Sequence, residues 1–240
     1  MYYVDMHCHI LPGVDDGSKD MEMTMRMLQV ARDNGIGEFI VTPHNNGAHR
    51  SVSAEGILRR TEELQKASDE AGFDFVFHPG SELYYDSTLP DRVDAGEAIT
   101  LAGSRYCLVE FSPGDPYDYI QEGLRSLSYA GYRVILAHCE RYICLLDKPD
   151  RCRDLVRNGV LLQVNAASVK PVLFRKIPRF VDGLLEEELV SFVSTDAHRD
   201  VGRAPEMKEA ATWLRKHCRE DYYDAVLRDN ALAVIAGEEL

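Results

Sequence analysis

The sequence predicts an α/β fold in a single domain over residues 1–240, arranged as a distorted, seven-stranded TIM-like (β/α)7 barrel. Short apolar segments rich in Val, Ile, Leu and Phe alternate with segments of helical periodicity along the whole chain. Polar residues recur at the carboxyl ends of six of these apolar segments, and that end of a barrel carries the active site. An open, doubly wound sheet is the alternative, but it would string these residues along an edge where they could not converge.

The predicted strands are short and apolar, as strands buried on both faces should be. They cover residues 2–7, 38–44, 75–82, 106–111, 133–138, 160–165 and 190–196. The predicted helices cover residues 20–34, 54–71, 119–130, 150–158, 172–189, 206–220 and about 222–236. Helix 20–34 places Met21, Met25 and Leu28 on one stripe and ends before Gly35. The corresponding stripe of helix 54–71 is Ile57, Thr61, Leu64 and Ser68.

The charge balance argues against a nucleic-acid-binding protein. The chain has 27 Lys and Arg against 40 Asp and Glu, a formal net charge of −13, whereas affinity for nucleic acid comes largely from cationic side chains on phosphates. No apolar run approaches the ~20 residues that span a bilayer, and no N-terminal segment has the basic and apolar regions of a signal peptide. We therefore expect a cytoplasmic protein that does not insert into membranes.

The six cysteines give no support to thiolate catalysis. None forms a Cys-x-x-Cys pair. The dipeptide His138-Cys139 resembles the start of the His-Cys-x5-Arg loop of cysteine-dependent tyrosine phosphatases, but position 145 is Leu, and no other cysteine has Arg at that offset. We therefore predict that no cysteine is the nucleophile and that most cysteines are buried, reduced thiols.

Potential metal ligands follow the apolar segments. His7 and His9 close the first segment, and Asp16 lies in the loop after it. Imidazole and carboxylate ligands suit zinc, manganese and iron, and clustered ions are a common arrangement for phosphoester hydrolysis. Any one of these residues alone is better explained as a core histidine or a helix cap, but the whole set predicts a metal site. Its later members are His44, Glu82, Glu110, His138, Asp196 and His198.

The motifs around these residues resemble a known superfamily. His-x-His at 7–9, Pro-His at 43–44, the lone Glu82 and Asp-x-His at 196–198 resemble the polymerase and histidinol phosphatase (PHP) superfamily of metal-dependent phosphoesterases. More narrowly, HCHILPGVDDGS, TPHNNG, VEF, AHCERY and STDAH resemble the bacterial protein-tyrosine phosphatases of capsule and exopolysaccharide loci, the CpsB/YwqE type. The resemblance covers about residues 3 to 205, and it implies the PHP fold, a distorted barrel.

The resemblance also implies three divalent ions, most commonly manganese or iron, with zinc as a further choice. The first ion would take His7, His9, Glu82 and Asp196. The second would take Glu82 as a bridge together with Glu110 and His138. The third would take Asp16, His44 and His198.

Two arginines match the family's phosphate-binding positions, Arg141 and Arg203. A guanidinium group is planar and can bind two phosphate oxygens at once. For both residues a surface salt bridge with one of the many acidic groups is the alternative explanation.

The resemblance implies a metal-dependent protein-tyrosine phosphatase acting on a phosphotyrosine-containing protein, the Tyr-rich tail of a bacterial tyrosine kinase of capsule or exopolysaccharide biosynthesis. One alternative is a small-molecule phosphatase of the same superfamily, such as a histidinol-phosphate hydrolase. A nuclease or polymerase-proofreading enzyme is a weaker alternative, because of the negative charge. A noncatalytic, metal-stabilised scaffold that binds the kinase is the alternative outside enzymes. An oligomer is compatible with the sequence, which does not set the number of subunits.

Overall fold

A computed structural model describes residues 2–47, 52–169 and 176–240. These residues form an α/β fold in which every strand pairing is parallel. One sheet has the order β1-β2-β4 and the other the order β3-β5-β6-β7-β8-β9. The strands are β1 (Tyr3–Cys8), β2 (Ile36–Val41), β3 (His44–Asn45), β4 (Val76–Pro79), β5 (Glu82–Tyr84), β6 (Tyr106–Glu110), β7 (Arg133–Leu136), β8 (Leu161–Asn165) and β9 (Phe192–Ser194).

The predicted count of seven strands is not confirmed, because two of the predicted strands are interrupted. Segment 38–44 is divided into β2 and β3 with Pro43 in the gap, and segment 75–82 is divided into β4 and β5 with Gly80 in the gap. Pro43 has no N–H group to donate to a neighbouring strand. At Gly80 the backbone approaches Ile40 so closely that a Cβ would lie 3.0 Å from its side chain. After both gaps the chain pairs in the second sheet.

The first and last strands of the chain lie side by side. The backbone N–H of Asp196 donates to the carbonyl of His7 at 2.9 Å, and that of His9 donates to the carbonyl of Ala197 at 2.9 Å. The two parallel sheets are therefore joined at the carboxyl ends of β1 and β9 into a curled arrangement. This contact brings the first and the last of the predicted metal-ligand motifs together.

Nine α-helices accompany the strands in the described residues. Side-chain caps mark the start of α1 and α2. For example, the carboxylate of Asp20 accepts a hydrogen bond from Met23 N at 2.8 Å at the start of α1, and Gly35 with φ +79° follows its end. The helices are α1 (Met21–Asp33), α2 (Ala54–Glu70), α3 (Leu89–Asp94), α4 (Tyr117–Tyr129), α5 (Pro149–Arg157), α6 (Lys176–Glu186), α7 (Lys208–His217), α8 (Glu220–Asp224) and α9 (Asn230–Ala236).

The helices differ from the prediction in three places. Helix α3 was not predicted, because it is only six residues long. The predicted helix 222–236 is divided between α8, a π-helical segment (Ala225–Asp229) and α9. The beginning of predicted helix 172–189, residues 172–175, lies outside the described residues.

The apolar core leaves one end of the strands free for polar side chains. A cluster of buried residues comes from five strands and α9, and the hydroxyl of Tyr106, the first residue of β6, donates to the carbonyl of Glu238, just after α9. The end of the chain thus lies at the amino end of β6, away from the polar cluster described below. The strand members of the cluster include Val4, Met6, Ile40, Leu108, Ile135 and Phe192. Among the described residues, none of the helices combines the length and the apolar composition that crossing a membrane requires.

Candidate metal centre

The nine predicted ligands converge on one site at the carboxyl ends of the strands. Each has a polar atom within 4 Å of an atom of another member, so that the set forms one continuous network. The structure corrects the position of two of them: His44 and Glu82 begin the short strands β3 and β5, where they are paired with each other, instead of ending longer strands. The interruptions at Pro43 and Gly80 are the reason, because after each interruption a new strand begins at the ligand itself.

Glu82 lies at the middle of the network and is fully buried. Its Oε1 is 2.8 Å from His138 Nε2 and 3.3 Å from His7 Nε2. Its Oε2 is 3.2 Å from His9 Nε2 and 3.0 Å from His44 Nδ1. Burial alone would raise the pKa of Glu82, but the nearby His7 and the hydrogen bond from His138 hold it well below its usual value. One carboxylate therefore faces four imidazoles, as a bridging ligand would.

Potential ligand atoms form three overlapping groups, each with its atoms within 4.8 Å of one another. Glu82 belongs to two of the groups, and so do His9 and His44. Asp196 and His138 lie beside these groups but are in none of them. The groups are His7, His9 and Glu82; His44, Glu82 and Glu110; and His9, Asp16, His44 and His198.

Two buried atoms of the cluster lie close together without the alignment of a hydrogen bond. His44 Nδ1 lies 3.0 Å from an oxygen of Glu82 and 3.0 Å from one of Glu110, yet it makes no hydrogen bond with either. Glu82 Oε2 likewise has no hydrogen-bond partner among the described residues. Buried polar atoms are rarely left without partners, and a cation bound between them would satisfy both. The donor set, imidazole with carboxylate, fits a divalent metal ion.

Burial and neighbouring charged groups set the protonation of the histidines. Burial opposes charge on His44, but the carboxylates of Glu110 and Glu82 raise its pKa to about 11. The pKa of His198 is instead lowered to about 4, by burial and by the nearby His9. The Nδ1 of His198 lies 3.0 Å from the carbonyl of Asp196, so its proton is held there and Nε2 faces Asp16 at 3.5 Å. The negative potential that raises the pKa of His44 also favours a bound cation.

Asp15 belongs to the site, although it is not among the ligands predicted from the sequence. It shapes the turn after β1, since its Oδ1 accepts a hydrogen bond from Gly17 N at 2.9 Å. Its Oδ2 lies 2.7 Å from His9 Nδ1 and accepts from His44 N at 3.0 Å. Burial would raise its pKa, but the hydrogen bond with His9 lowers it to about 2. Asp15 thus orients His9 so that Nε2 faces the cluster, a common arrangement around metal-bound histidines.

The two arginines reach the cluster from its rim. Arg141 Nη2 lies 2.6 Å from Asp196 Oδ2, and Arg203 Nη2 lies 3.0 Å from the same oxygen. Their side chains remain 39% and 41% exposed, and both line a cleft of about 380 Å³. The arginines therefore connect the buried ligands with a space that a substrate can enter.

Hydrogen bonds anchor both segments that carry the arginines. Arg141 ends a short 3-10 turn (Cys139–Arg141) after His138. The next residue, Tyr142, is fully buried, and its hydroxyl accepts a hydrogen bond from Phe111 N at 3.1 Å. The carbonyl of Arg203 accepts hydrogen bonds from the backbone N–H groups of His198 and Arg199.

The cysteine beside the cluster is unsuited to act as a nucleophile. Cys139 is fully buried, and burial raises the pKa of its thiol well above the usual value. A thiol, unlike a thiolate, is a poor nucleophile. The structure thus agrees with the expectation of a buried thiol at this position.

The chain resembles curated proteins along most of its length. The family model described as capsular polysaccharide synthesis, CpsB/CapC, matches residues 3–236. The tyrosine-protein phosphatase CpsB of Streptococcus pneumoniae is 31% identical over 218 residues, which cover 89% of this chain and 90% of that protein. The tyrosine-protein phosphatase YwqE of Bacillus subtilis (strain 168) is 29% identical over 218 residues, which cover 89% of this chain and 84% of that protein.

A solved structure supports the same relationship. It is described as one of the crystal structures of YwqE from Bacillus subtilis and CpsB from Streptococcus pneumoniae, unique metal-dependent tyrosine phosphatases. It matches with a TM-score of 0.91 and 26% sequence identity, over 99% of this chain and 96% of that chain. The resemblance predicted from the motifs is confirmed: the chain belongs to the CpsB/CapC family of capsular polysaccharide synthesis proteins.

Proposed function

We propose that the chain is a metal-dependent protein-tyrosine phosphatase, a phosphoric monoester hydrolase that releases phosphate from phosphotyrosine. The observation that carries the proposal is the convergence of Arg141 and Arg203 on Asp196, at the rim of a buried cluster of imidazoles and carboxylates. Guanidinium groups beside potential metal ligands suit a phosphate monoester. The relatives in S. pneumoniae and B. subtilis, both named tyrosine-protein phosphatases, support phosphotyrosine as the substrate.

For the metals we propose three divalent ions, manganese or iron, with zinc also compatible with the ligands. The three overlapping ligand groups support this number, and the central position of Glu82 supports a bridging role. Bound divalent ions lower the pKa of water and offset the charge of phosphoryl oxygens. The proposed ligand sets are His7, His9, Glu82 and Asp196; Glu82, Glu110 and His138; and Asp16, His44 and His198.

The protein side chains would bind and orient the phosphoryl group. Each guanidinium has more N–H donors than its contact with Asp196 uses. Arg141 and Arg203 can therefore donate to phosphoryl oxygens while Asp196 keeps them in place. Hydrolysis joins an oxygen from water to phosphorus and breaks the bond between phosphorus and the tyrosine oxygen. The proton that the water loses is matched by the proton that the tyrosine oxygen gains.

The proposed partner is a phosphotyrosine-containing protein, the Tyr-rich tail of a bacterial tyrosine kinase of capsule or exopolysaccharide biosynthesis, in the cytoplasm. The description of the family as capsular polysaccharide synthesis supports this setting. The exposure of the arginine side chains in a cleft supports a substrate residue that enters from a protein surface.

For the architecture we propose that the two parallel sheets are parts of one distorted barrel with seven positions, in a single domain over residues 1–240. In this description β2 with β3 occupies one position, and β4 with β5 another. The adjacency of β1 and β9 supports the closure.

The experiment compares phosphate release from a phosphotyrosine peptide, a phosphoserine peptide and histidinol phosphate by the manganese-loaded protein. The proposal expects a strong preference for the phosphotyrosine peptide. Preference for histidinol phosphate would instead identify a small-molecule phosphatase. No turnover with manganese, iron or zinc would leave the noncatalytic scaffold as the explanation.

A further inference from the structure

Two buried amides on β8, Gln163 and Asn165, connect three of the proposed metal ligands. Gln163 is fully buried. Its Oε1 lies 2.6 Å from His138 N and 3.1 Å from His7 Nδ1. Its Nε2 lies 3.0 Å from Asn165 Oδ1, and Asn165 Nδ2 lies 2.9 Å from Asp196 Oδ2. The side chains thus form a continuous hydrogen-bonded chain from β1 and the end of β7 to the end of β9.

The backbone N–H of His138 determines which atoms donate and which accept in this series of hydrogen bonds. The N–H of His138 can only donate, so the Gln163 atom beside it must be the carbonyl oxygen. The same oxygen faces His7 Nδ1, which must therefore carry a proton; in the neutral imidazole that binds a metal ion, this is the ring's one N–H proton. In that form the other nitrogen, Nε2, which lies 3.3 Å from Glu82 Oε1, has its lone pair available for a metal ion.

The same direction continues to Asp196. Because Gln163 Nε2 donates to Asn165 Oδ1, the Asn165 atom beside Asp196 is the amide nitrogen, which donates to Oδ2. This oxygen also receives Arg141 and Arg203. The other oxygen, Oδ1, lies 3.6 Å from the Nε2 atoms of both His7 and His9. Oδ2 is thus occupied by donors, and Oδ1 faces the potential ligand atoms.

We propose that Gln163 is a positioning residue of the metal centre, which sets the proton-bearing nitrogen of His7 directly and the metal-facing oxygen of Asp196 through Asn165. This inference rests on the proposed metal centre. A ligating histidine generally donates its second N–H to an acceptor that fixes the ring. Asp15 is that acceptor for His9, and the carbonyl of Asp196 is that acceptor for His198. Gln163 is the corresponding acceptor for His7.

The test uses Gln163→Met, which is close in size but has no acceptor, and Gln65→Met as a matched control. Gln65 also accepts a backbone hydrogen bond, from Phe77 N, and donates to the carbonyl of Phe75, but it contacts none of the proposed ligands. The zinc affinity of each full-length protein is measured by competition with a chelator. For Gln163→Met we expect the affinity for at least one ion to fall by roughly tenfold to a hundredfold, and for Gln65→Met no change.

A second measurement reads the proton of His7 directly. In the zinc-loaded protein, nuclear magnetic resonance of the histidine rings should show a slowly exchanging proton on His7 Nδ1, which Gln163→Met should lose. Gln163→Glu retains an acceptor and should keep this signal, even if Gln163→Met does not fold. Loss of the signal in Gln163→Glu would overturn the proposal.

Unchanged zinc affinity in a folded Gln163→Met protein would also overturn it, as would an equal loss of affinity in Gln65→Met. These outcomes differ from failure of the proposed function, in which the wild-type protein itself would bind no divalent ion.

Discussion

His138 and Asp196 have backbone conformations that side chains seldom adopt. Their φ angles are +32° and +51°, in the left-handed region, where a non-glycine residue costs of order 1–3 kcal/mol. Both are proposed ligands at points where the chain leaves a strand and turns into the site. This conformational cost is consistent with selection that favours the position of these side chains at the expense of local stability.

The first prediction concerns these two residues. His138→Ala and Asp196→Ala should each remove at least one ion and leave less than about a tenth of wild-type turnover, because residues that act as a unit are lost together. Metal content by elemental analysis and phosphate release check this. The control is His78→Ala, since His78 pairs with Glu38 at 3.1 Å outside the cluster. Normal metal content and activity in both ligand variants would contradict the assignment.

Variants of the two arginines test substrate binding separately from metal binding. Arg141→Ala and Arg203→Ala should keep their metal. Arg141 makes the shorter contact with Asp196, 2.6 Å against 3.0 Å for Arg203, and Arg141→Ala should lose turnover by roughly a hundredfold. Lys at either position should rescue only in part, because an ammonium group lacks the planar geometry. Arg153→Ala is the control, since Arg153 pairs with Glu187 at the surface. Wild-type turnover in both variants would place the arginines outside catalysis.

Cys139 provides a test of the nucleophile. Cys139→Ser should keep most activity and form no phosphocysteine, because the buried thiol has a raised pKa and lacks the arginine of a phosphatase loop. The new hydroxyl is buried, so a loss of stability of about 1–3 kcal/mol is expected. Turnover, protein mass during turnover and thermal unfolding are the measurements. An inactive variant with all its metal would show that the thiol takes part in the chemistry.

At the scale of elements, the sequence predicted α2 better than α1. The stripe predicted for α2 is buried as expected, because its apolar residues have helical spacing and no competing stripe exists. In α1 the methionines occupy alternate positions, so the apolar residues do not show which face of the helix packs against the core. The structure buries Met23 and Met27 with Leu28 and only partly buries Met21 and Met25.

The candidate metal centre, like the helices, was predictable only in part. The nine proposed ligands follow predicted strands in a recognisable pattern, and all nine lie together in the structure. Residues that only orient the ligands have no such pattern. Asp15 lies in a loop between Gly13 and Gly17, where an Asp is common in turns. Gln163 is one amide inside an apolar strand, so nothing in its spacing signals the contacts with His7 and His138.

A prediction about α1 tests its capping. Asp20→Ala removes the acceptor of Met23 N and should lower stability by about 1 kcal/mol, which corresponds to a fall in Tm of about 2–4 °C for a chain of this size. Metal content should not change. Lys19→Ala, an exposed neighbour, is the control for thermal unfolding. An unchanged Tm in Asp20→Ala would show that the cap contributes little to α1.

At the scale of the whole molecule, the topology gathers some of the many acidic residues into one site. The chain carries 40 Asp and Glu against 27 Lys and Arg, and four of the carboxylates lie in one cluster with five histidines. The curled parallel sheets bring together residues that are nearly 200 positions apart in the chain, such as His7 and Asp196. Such a concentration of carboxylates is most easily stabilised by bound cations.

The most direct test of the central claim is phosphate release from a phosphotyrosine peptide by protein depleted of metal with a chelator and then titrated with manganese. Depletion should abolish turnover, and manganese should restore it more effectively than magnesium, because imidazole ligands favour the softer ion. Turnover that survives complete metal removal, or that no divalent ion restores to a still-folded protein, would contradict the account.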